Sequence, residues 1–253
     1  MHIQTNYQSQ VKNIFVNEIL SNIGNNISKL GRSKSNEVLT GFIAMQGNKY
    51  NKELMVIGRS VNGWRGSIPL DKLSDVKERE KFAEKVFNSD CPMLWVTDNW
   101  EKSEVYNTKL SAFWRVIRET IIQLNTEINI ENFDVSQWPS YLVWSNLYKV
   151  SPNEGGNPKD PLCRFQLPGC IKMLKFELET YMPKRVLFIT GMDWAEEFLD
   201  GLGAKWNNNN STYVKSYGQH CLPINHQFKF VVAIRPERKN EEEWVTDVHK
   251  FLL

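Results

Sequence analysis

The sequence predicts a domain of the α/β class, and the order of its apolar segments is the main reason. Four segments (residues 53–58, 141–146, 185–190 and 229–234) are predicted as strands that alternate with helices. Three of these segments are continuously apolar, which is typical of parallel strands covered on both faces. The composition, with 41% apolar and 24% charged residues, is that of a globular protein. Residues 1–253 are therefore expected to form a single α/β domain.

The first half of the chain contains several segments with helical periodicity. Apolar residues recur at helical spacing over residues 8–31. Because the apolar face of this helix needs cover, residues 1–35 are expected to form an amino-terminal helical extension packed on the core. The same spacing predicts helices over residues 71–88, 111–124 and 169–182, the last ended by a proline.

The second half of the chain adds a loop, strands and a closing helix. Residues 151–168 are predicted as a long loop because Pro, Gly and Asn are dense there. Residues 185–191 are predicted as a strand, followed by a short helix that ends at glycine. Residues 211–217 and 228–234 are predicted as further strands, and Asn240 is expected to cap a final helix.

Charge and cysteine content exclude several kinds of protein. The net charge of +2 argues against a strongly basic nucleic-acid coat. No apolar run approaches the length of a membrane span, and the amino terminus lacks a signal-peptide core. The four cysteines are scattered and the histidines do not lie at metal spacing, so neither a metal nor a cofactor is expected. Reduced thiols point to a cytoplasmic protein.

Candidate binding residues follow the first predicted strand in the segment GRSVNGW. Ligands of open α/β sheets bind beyond the carboxyl ends of the strands. Gly58 and Gly63 allow close backbone approach. Arg59 is a candidate phosphate contact, Asn62 is a candidate contact to a base edge or a water, and Trp64 could stack on a ring. The alternative is a tight turn in which Trp64 only covers the core.

Polar residues also follow the second and the last of the four predicted strands. Asn146 offers one acceptor and two donors in a plane, which suits the edge of a heterocycle, and Lys149 is a candidate anion contact. Alternatively, Asn146 only holds its own loop by hydrogen bonds. After the last strand, Arg235, Arg238 and Lys239 form a basic cluster before a helix, which suits phosphate binding or is a solvated charge run.

The segments at these strand ends resemble a known family. The stretch SNLYKVSPNEGGNPKDPLCRFQLPGCIKMLKFELETYMPKRVLFITG is similar to the central segment of the uracil-DNA glycosylase superfamily, including its Asn-Pro loop at Asn157. GRSVNGW lies where that family has its first motif, and AIRPERK where it has a His-Pro motif. The resemblance covers residues 53–253. It implies a three-layer α/β/α sandwich with a four-stranded, mainly parallel sheet, and an enzyme that flips a base from DNA and hydrolyses its N-glycosidic bond.

The resemblance also implies roles for individual residues. Asn146 would read the base, Asn62 would orient the water, and Arg235 would replace the histidine that stabilises the departing base. Arginine can stabilise an anion but cannot act as a general acid at neutral pH, and the GRSVNGW loop carries no carboxylate to act as a base. DNA, a nucleobase or a nucleotide is the expected partner. Two alternatives stay open: a module that binds a base without cleaving it, and a small-molecule hydrolase of the same architecture.

Overall fold

The structure is a computed structural model that describes residues 2–30, 37–61, 63–64, 66–87, 93–102, 106–154 and 156–253. In this part of the chain the strands are β1 (Val38–Gly41), β2 (Met45–Gln46), β3 (Leu54–Gly58), β4 (Ser67–Pro69), β5 (Leu142–Asn146), β6 (Val150–Pro152), β7 (Arg185–Ile189), β8 (Asn207–Asn208), β9 (Val214–Cys221) and β10 (Gln227–Ala233). The α-helices are α1 (His2–Asn13), α2 (Ser21–Asn25), α3 (Val76–Phe87), α4 (Trp95–Asp98), α5 (Ala112–Ile128), α6 (Asp160–Tyr181), α7 (Met192–Leu202) and α8 (Glu241–Leu252). A π-helical segment (Ile14–Leu20) joins α1 to α2, and short 3₁₀ helices lie at Ile27–Leu30, Leu70–Ser74, Thr108–Leu110 and Val135–Tyr141.

The chain is divided between two units, each with its own sheet. The first unit contains residues 1–44, 59–89 and 146–180, and the second unit contains residues 45–58, 90–145 and 181–253. The sheet of the first unit has three strands in the order β4-β1-β6, and both of its pairs are antiparallel. The sheet of the second unit has seven strands in the order β2-β5-β3-β7-β10-β9-β8. Its strand β5 ends at Asn146, where the chain enters the last segment of the first unit.

Parallel strands lie at the centre of the seven-stranded sheet. Strand β7 pairs in parallel with β3 on one side and with β10 on the other. The predicted α/β class and the four predicted strands are therefore confirmed, but the predicted four-stranded sheet is wrong. Strand β9 adds an antiparallel pair to β10, and its residues alternate in burial, as strands with one covered face do. Strands β2 and β8 have two residues each, too few to show any period.

Tryptophans fill much of the core of the second unit. The ring of Trp114 lies 5.4 Å from Trp95, 5.0 Å from Trp144 and 6.2 Å from Trp138, measured between centroids. The side chains of Trp114, Trp138 and Trp144 are buried. The high tryptophan content of this chain therefore serves core packing in large part.

A half-buried tyrosine lies just before β3 in the second unit. The hydroxyl of Tyr50 donates a hydrogen bond to the main-chain oxygen of Tyr181 at 3.3 Å. Burial raises the pKa of Tyr50 well above its ordinary value, and the nearby carboxylate of Glu53 raises it further. Glu53 is itself held by ion pairs to Lys184 at 2.5 Å and Arg185 at 2.6 Å, so the starts of β3 and β7 are fixed together.

The amino-terminal helices pack inside the first unit. The helix predicted over residues 8–31 is present as α1, the π-helical segment and α2. Phe15 is fully buried, with ring centroids of Phe82 and Phe87 at 6.1 and 6.2 Å. Gly24 lies so close to the next segment that a Cβ there would be 2.2 Å from the main-chain oxygen of Leu73. This close approach requires glycine at position 24.

Helix α6 differs from its predicted extent. It begins at Asp160, inside the segment predicted as a loop, and continues through Pro168. A Cβ at Gly169 would lie 2.7 Å from a side-chain carbon of Ile19, so this glycine lets α6 approach the amino-terminal helices closely. Some of the dense Pro and Gly residues therefore lie in a loop before Asp160, whereas Pro168 and Gly169 lie inside the helix, where Gly169 allows close packing. The predicted final helix is confirmed: Asn240 caps α8 by accepting the N–H of Glu243 at 3.3 Å.

Candidate functional site

The first candidate loop follows β3 and belongs, from Arg59 onward, to the first unit. Gly58 is the buried last residue of β3, and Arg59 after it is half-buried. Gly63 is exposed and has a φ of 66°, a left-handed conformation that favours glycine. The main-chain N–H of Trp64 donates to the hydroxyl of Thr40 at 3.0 Å. Asn62, the predicted water-orienting residue, lies outside the described residues.

Trp64 has a packing partner as well as an exposed part. Its ring is half-buried and meets the ring of Phe42 edge-on, with centroids 5.8 Å apart and planes at 72°. Phe42 is fully buried, and its N–H donates to the main-chain oxygen of Lys149 at 2.8 Å. Trp64 thus rests on a fixed residue, which is compatible both with the predicted stacking role and with the alternative of core cover.

Three hydrogen bonds join this loop to the segment after β5. The main-chain oxygen of Arg59 accepts the N–H of Tyr148 at 3.0 Å. The hydroxyl of Ser60 donates to Oδ1 of Asn157 at 2.9 Å, and the hydroxyl of Ser151 donates to the main-chain oxygen of Val61 at 2.5 Å. The structure therefore brings residues 59–61 together with residues 148–157. Arg59 and Asn157, two of the predicted contacts, lie in this joined region.

Asn146 ends β5 with a buried and unsatisfied amide group. The residue is 2% exposed, and its Nδ2 has no hydrogen-bond partner among the residues that the structure describes. A buried donor without an acceptor costs about 1–3 kcal/mol, so it is rare in folded proteins without a reason. The amide can offer two N–H donors from Nδ2, and its plane suits a heterocycle edge. This is the strongest sign of ligand recognition among the predicted residues.

Lys149 occupies a buried polar cluster instead of an open surface. Its ammonium lies 2.7 Å from the carboxylate of Glu177, with side-chain exposures of 0% and 1%. On the same helix as Glu177, Gln166 bonds to both main-chain groups of Val150, at 3.0 and 2.8 Å. Burial raises the pKa of the neighbouring Cys170 thiol to about 12. Lys149 could meet an anion only if this ion pair opened.

The basic cluster after β10 lies in the second unit. Arg235 is exposed, and its Nε lies 3.1 Å from both carboxylate oxygens of Glu237. Arg238 and Lys239 are also exposed, and Arg238 has a φ of 61°. Arg235 thus forms an ion pair at the surface. This agrees with the alternative prediction that the cluster is a solvated run of charges. Its role beside a leaving base stays a prediction.

Sequence reasoning missed the partners of the candidate residues. Ser60, Ser151 and Glu177 were not singled out, because a hydrogen bond or ion pair between distant segments leaves no local pattern. One signal was present in α6, where Gln166, Cys170 and Glu177 are spaced by four and seven residues and share one helix face. A polar stripe of this kind within an otherwise apolar helix face indicates buried polar contacts.

Two grooves in the second unit are lined by other residues. One, of about 530 Å³, is lined by residues around Trp206, and another, of about 590 Å³, by residues around Tyr213. Neither is lined by a predicted site residue. Within the described ranges, no group of three or more His, Cys, Asp or Glu residues could hold a metal ion. No helix found there is both apolar enough and long enough to cross a bilayer.

A comparison with protein-family models finds no match to this chain, and neither does a comparison with curated proteins.

Proposed function

We propose that this chain recognises a nucleobase at Asn146 and hydrolyses its N-glycosidic bond, in the manner of the uracil-DNA glycosylase superfamily. The observation that carries the proposal is the buried Asn146 amide, whose Nδ2 has no partner among the described residues. A base edge would supply the missing acceptor and so remove the cost of the unsatisfied donor. DNA is the proposed substrate, and a three-layer α/β/α architecture is part of the same proposal.

The surroundings of Asn146 support base binding because they are held in place. The bonds from Tyr148 to Arg59 and from Ser60 to Asn157 fix the loop after β3 to the segment that follows Asn146. Fixed loops lower the entropic cost of binding a ligand. Trp64 presents a half-buried ring to which a flat base could stack. In this proposal Asn62 orients the attacking water, and Arg235 stabilises the negative charge of the departing base.

The proposal is tested by single-turnover excision with excess protein. The substrates are end-labelled oligonucleotides, single- and double-stranded, that carry uracil, hypoxanthine, xanthine or alkylated bases. Asn146→Asp keeps the side-chain shape but removes both N–H donors, so excision and base selectivity should be lost. Asn208→Asp makes the same chemical change at an exposed position on β8 and should have no effect. Equal excision by Asn146→Asp and the unaltered protein would contradict the proposed recognition.

A second function, binding without cleavage, is favoured by two specific observations. The loop GRSVNGW contains no Asp or Glu that could activate water, and Arg235 is paired with Glu237. A binding module should hold base-bearing DNA with a salt-dependent affinity and release no base. Nucleoside binding that is insensitive to salt would instead indicate a small-molecule site. Asn62→Ala separates the two DNA functions, because it should abolish excision while leaving binding intact.

A further inference from the structure

The second unit carries a groove that combines lysines with aromatic rings. Its volume is about 530 Å³, within the range of about 300–1,000 Å³ that is typical of ligand sites. Three lysines and three aromatic residues line it: Lys205, Trp206, Tyr217, Lys229, Lys250 and Phe251. We refer to these six residues as the basic aromatic groove.

The strands and the last helix of the second unit bring these residues together. Tyr217 lies on β9 opposite Asn207, the residue that follows Trp206 in the chain. Lys229 lies on β10 opposite Arg185, the first residue of β7. The groove is therefore near the amino ends of the parallel strands β7 and β10. Arg235, after the carboxyl end of β10, lies beyond the other end of this sheet.

The charge of the groove is only partly balanced by its own residues and their neighbours. No Asp or Glu is among the described residues that line it. Lys205 is exposed and has no ion-pair partner in the described ranges. Lys250 is 65% exposed and forms a long ion pair with Asp247, with 4.0 Å between ammonium and carboxylate, while Lys229 donates to an oxygen of Leu253. A concave surface lined by three ammonium groups, of which that of Lys205 has no ion-pair partner among the described residues, attracts anions.

The aromatic side chains leave one ring available for stacking. Tyr217 and Phe251 pack on each other, with ring centroids 4.8 Å apart and planes at 40°. Trp206 is half-buried and makes no ring contact with any described residue. A tryptophan in an exposed groove usually finds a flat or apolar partner, since indole is costly to leave in water. Here the partner is not supplied by the described part of the chain.

We propose that the basic aromatic groove binds single-stranded nucleic acid, with phosphates at the three lysines and a base stacked on Trp206. Grooves that pair lysines with exposed rings are suited to single strands, whose bases are free to leave their stack. A duplex presents phosphates but not base faces, so it would use only the lysines. The inference does not rest on the proposed function at Asn146, because the residues of the two sites are different.

The test is the fluorescence anisotropy of a labelled single-stranded thymidine oligonucleotide of about 12 nucleotides, titrated with the full chain. Binding should weaken with salt, with a slope of about −2 in the logarithm of affinity against the logarithm of salt concentration, as expected for three phosphate contacts. Trp206→Leu should weaken binding about tenfold or more, while Trp206→Phe, which keeps a ring, should retain most of the affinity.

Charge variants and controls separate this site from the one at Asn146. The double variant Lys205→Gln with Lys250→Gln should lower the affinity and reduce the salt slope to about −0.7. Lys175→Gln removes one charge from an exposed position on α6 in the first unit and should change neither. Asn146→Asp should abolish excision but leave this binding intact. If Trp206→Leu loses single-strand binding while excision of a base persists, the two sites are independent, as proposed.

Several outcomes would overturn the inference. One is the absence of single-strand binding by the unaltered chain at about 50 mM salt, where phosphate contacts are strong. Another is equal affinity for single strands in Trp206→Leu, measured on protein whose circular dichroism is unchanged. Equal affinity for a duplex or for polyglutamate would also reject it, because either result would show an anion site without base stacking.

Discussion

The buried pair of Lys149 and Glu177 predicts a large and strongly non-additive effect on stability. Lys149→Met and Glu177→Leu each remove one member of this ion pair and leave the other charge buried without it. Each single variant should lose about 3–5 kcal/mol of unfolding free energy. The double variant should lose clearly less than the two single losses combined, because no charge then remains in the interior.

The size of the effect follows from the geometry of the pair. Across the 2.7 Å between ammonium and carboxylate, the attraction is about 6 kcal/mol at an effective dielectric constant of about 20. Side-chain exposures of 0% and 1% mean that water cannot replace a lost partner. Removing each ion from water costs several kcal/mol, so the intact pair is close to neutral overall. A single substitution exposes that desolvation cost, which is large against a typical total stability of about 5–15 kcal/mol.

The assay is urea unfolding followed by far-ultraviolet circular dichroism, for the two single variants and the double variant. The matched control is the pair of Lys12 and Glu84, also in the first unit, whose side chains are 40% and 62% exposed. Lys12→Met and Glu84→Leu remove the same charges where water can solvate the remaining partner. These control variants should differ little from the unaltered chain.

The refuting result would also bear on function. If Lys149→Met cost less than about 1 kcal/mol, the Glu177 carboxylate would have to be stabilised by water or by another cation. The ammonium of Lys149 would then not be fixed in the interior, and its predicted role as an anion contact would gain support. A large single loss and a small double loss would instead make Lys149 a structural residue that holds the segment after Asn146 against α6.

Three further predictions concern Tyr50, two cysteines and Gly24. Because the pKa of Tyr50 is raised in the folded chain, the unfolded chain loses this proton first, and stability should fall as pH rises above about 10. As pH rises from about 9 to about 11, the melting temperature of Tyr50→Phe should fall less than that of the unaltered chain. Burial raises the pKa of the Cys170 thiol to about 12, so iodoacetamide at about pH 8 should modify exposed Cys221 and spare Cys170 until urea is added, as read by mass spectrometry. Gly24→Ala should lower the unfolding free energy by about 1–3 kcal/mol, although alanine favours helices, because its Cβ would lie 2.2 Å from the Leu73 oxygen.

Each of these predictions has a clear contrary result. An equal loss of stability in Tyr50→Phe and the unaltered chain at high pH would mean that the phenol ionises when folded. Rapid modification of Cys170 without urea would show that the thiol reaches solvent. An unchanged or higher melting temperature in Gly24→Ala would show that α2 can move away from its neighbour. Gly203→Ala is a useful comparison, because there the positive φ of 71° is the only obstacle and nothing lies within 4 Å.

The central strands could be predicted from the sequence because burial leaves a pattern in the chain. All five residues of β3 and of β5 are buried, and each strand is a short, mainly apolar run with polar residues at or just after its end. The strands of the three-stranded sheet could not be found in this way. They have three or four residues each, and their pairs join segments far apart in the chain, such as Leu39 with Ile68 and Pro152.

The sequence could predict the candidate site only to the extent that it predicts where the strands end. The position of Asn146 follows from the end of β5, and its place at a carboxyl strand end marked it as a candidate. Its burial and unsatisfied Nδ2 are three-dimensional facts that no local pattern carries. The same holds for Lys149: its charge was visible in the sequence, but its partner lies on a helix further along the chain.

The division of each unit into three stretches of chain has a consequence for how the protein can be made. The chain passes five times between the sets of residues that build the two units, at 44/45, 58/59, 89/90, 145/146 and 180/181. During synthesis the first unit lacks α6 until residue 180 has left the ribosome, and the second lacks the inner strand β10 until later still. Neither unit can be produced as one uninterrupted fragment, so truncation at any of these five crossings should yield aggregation-prone material and not a stable half.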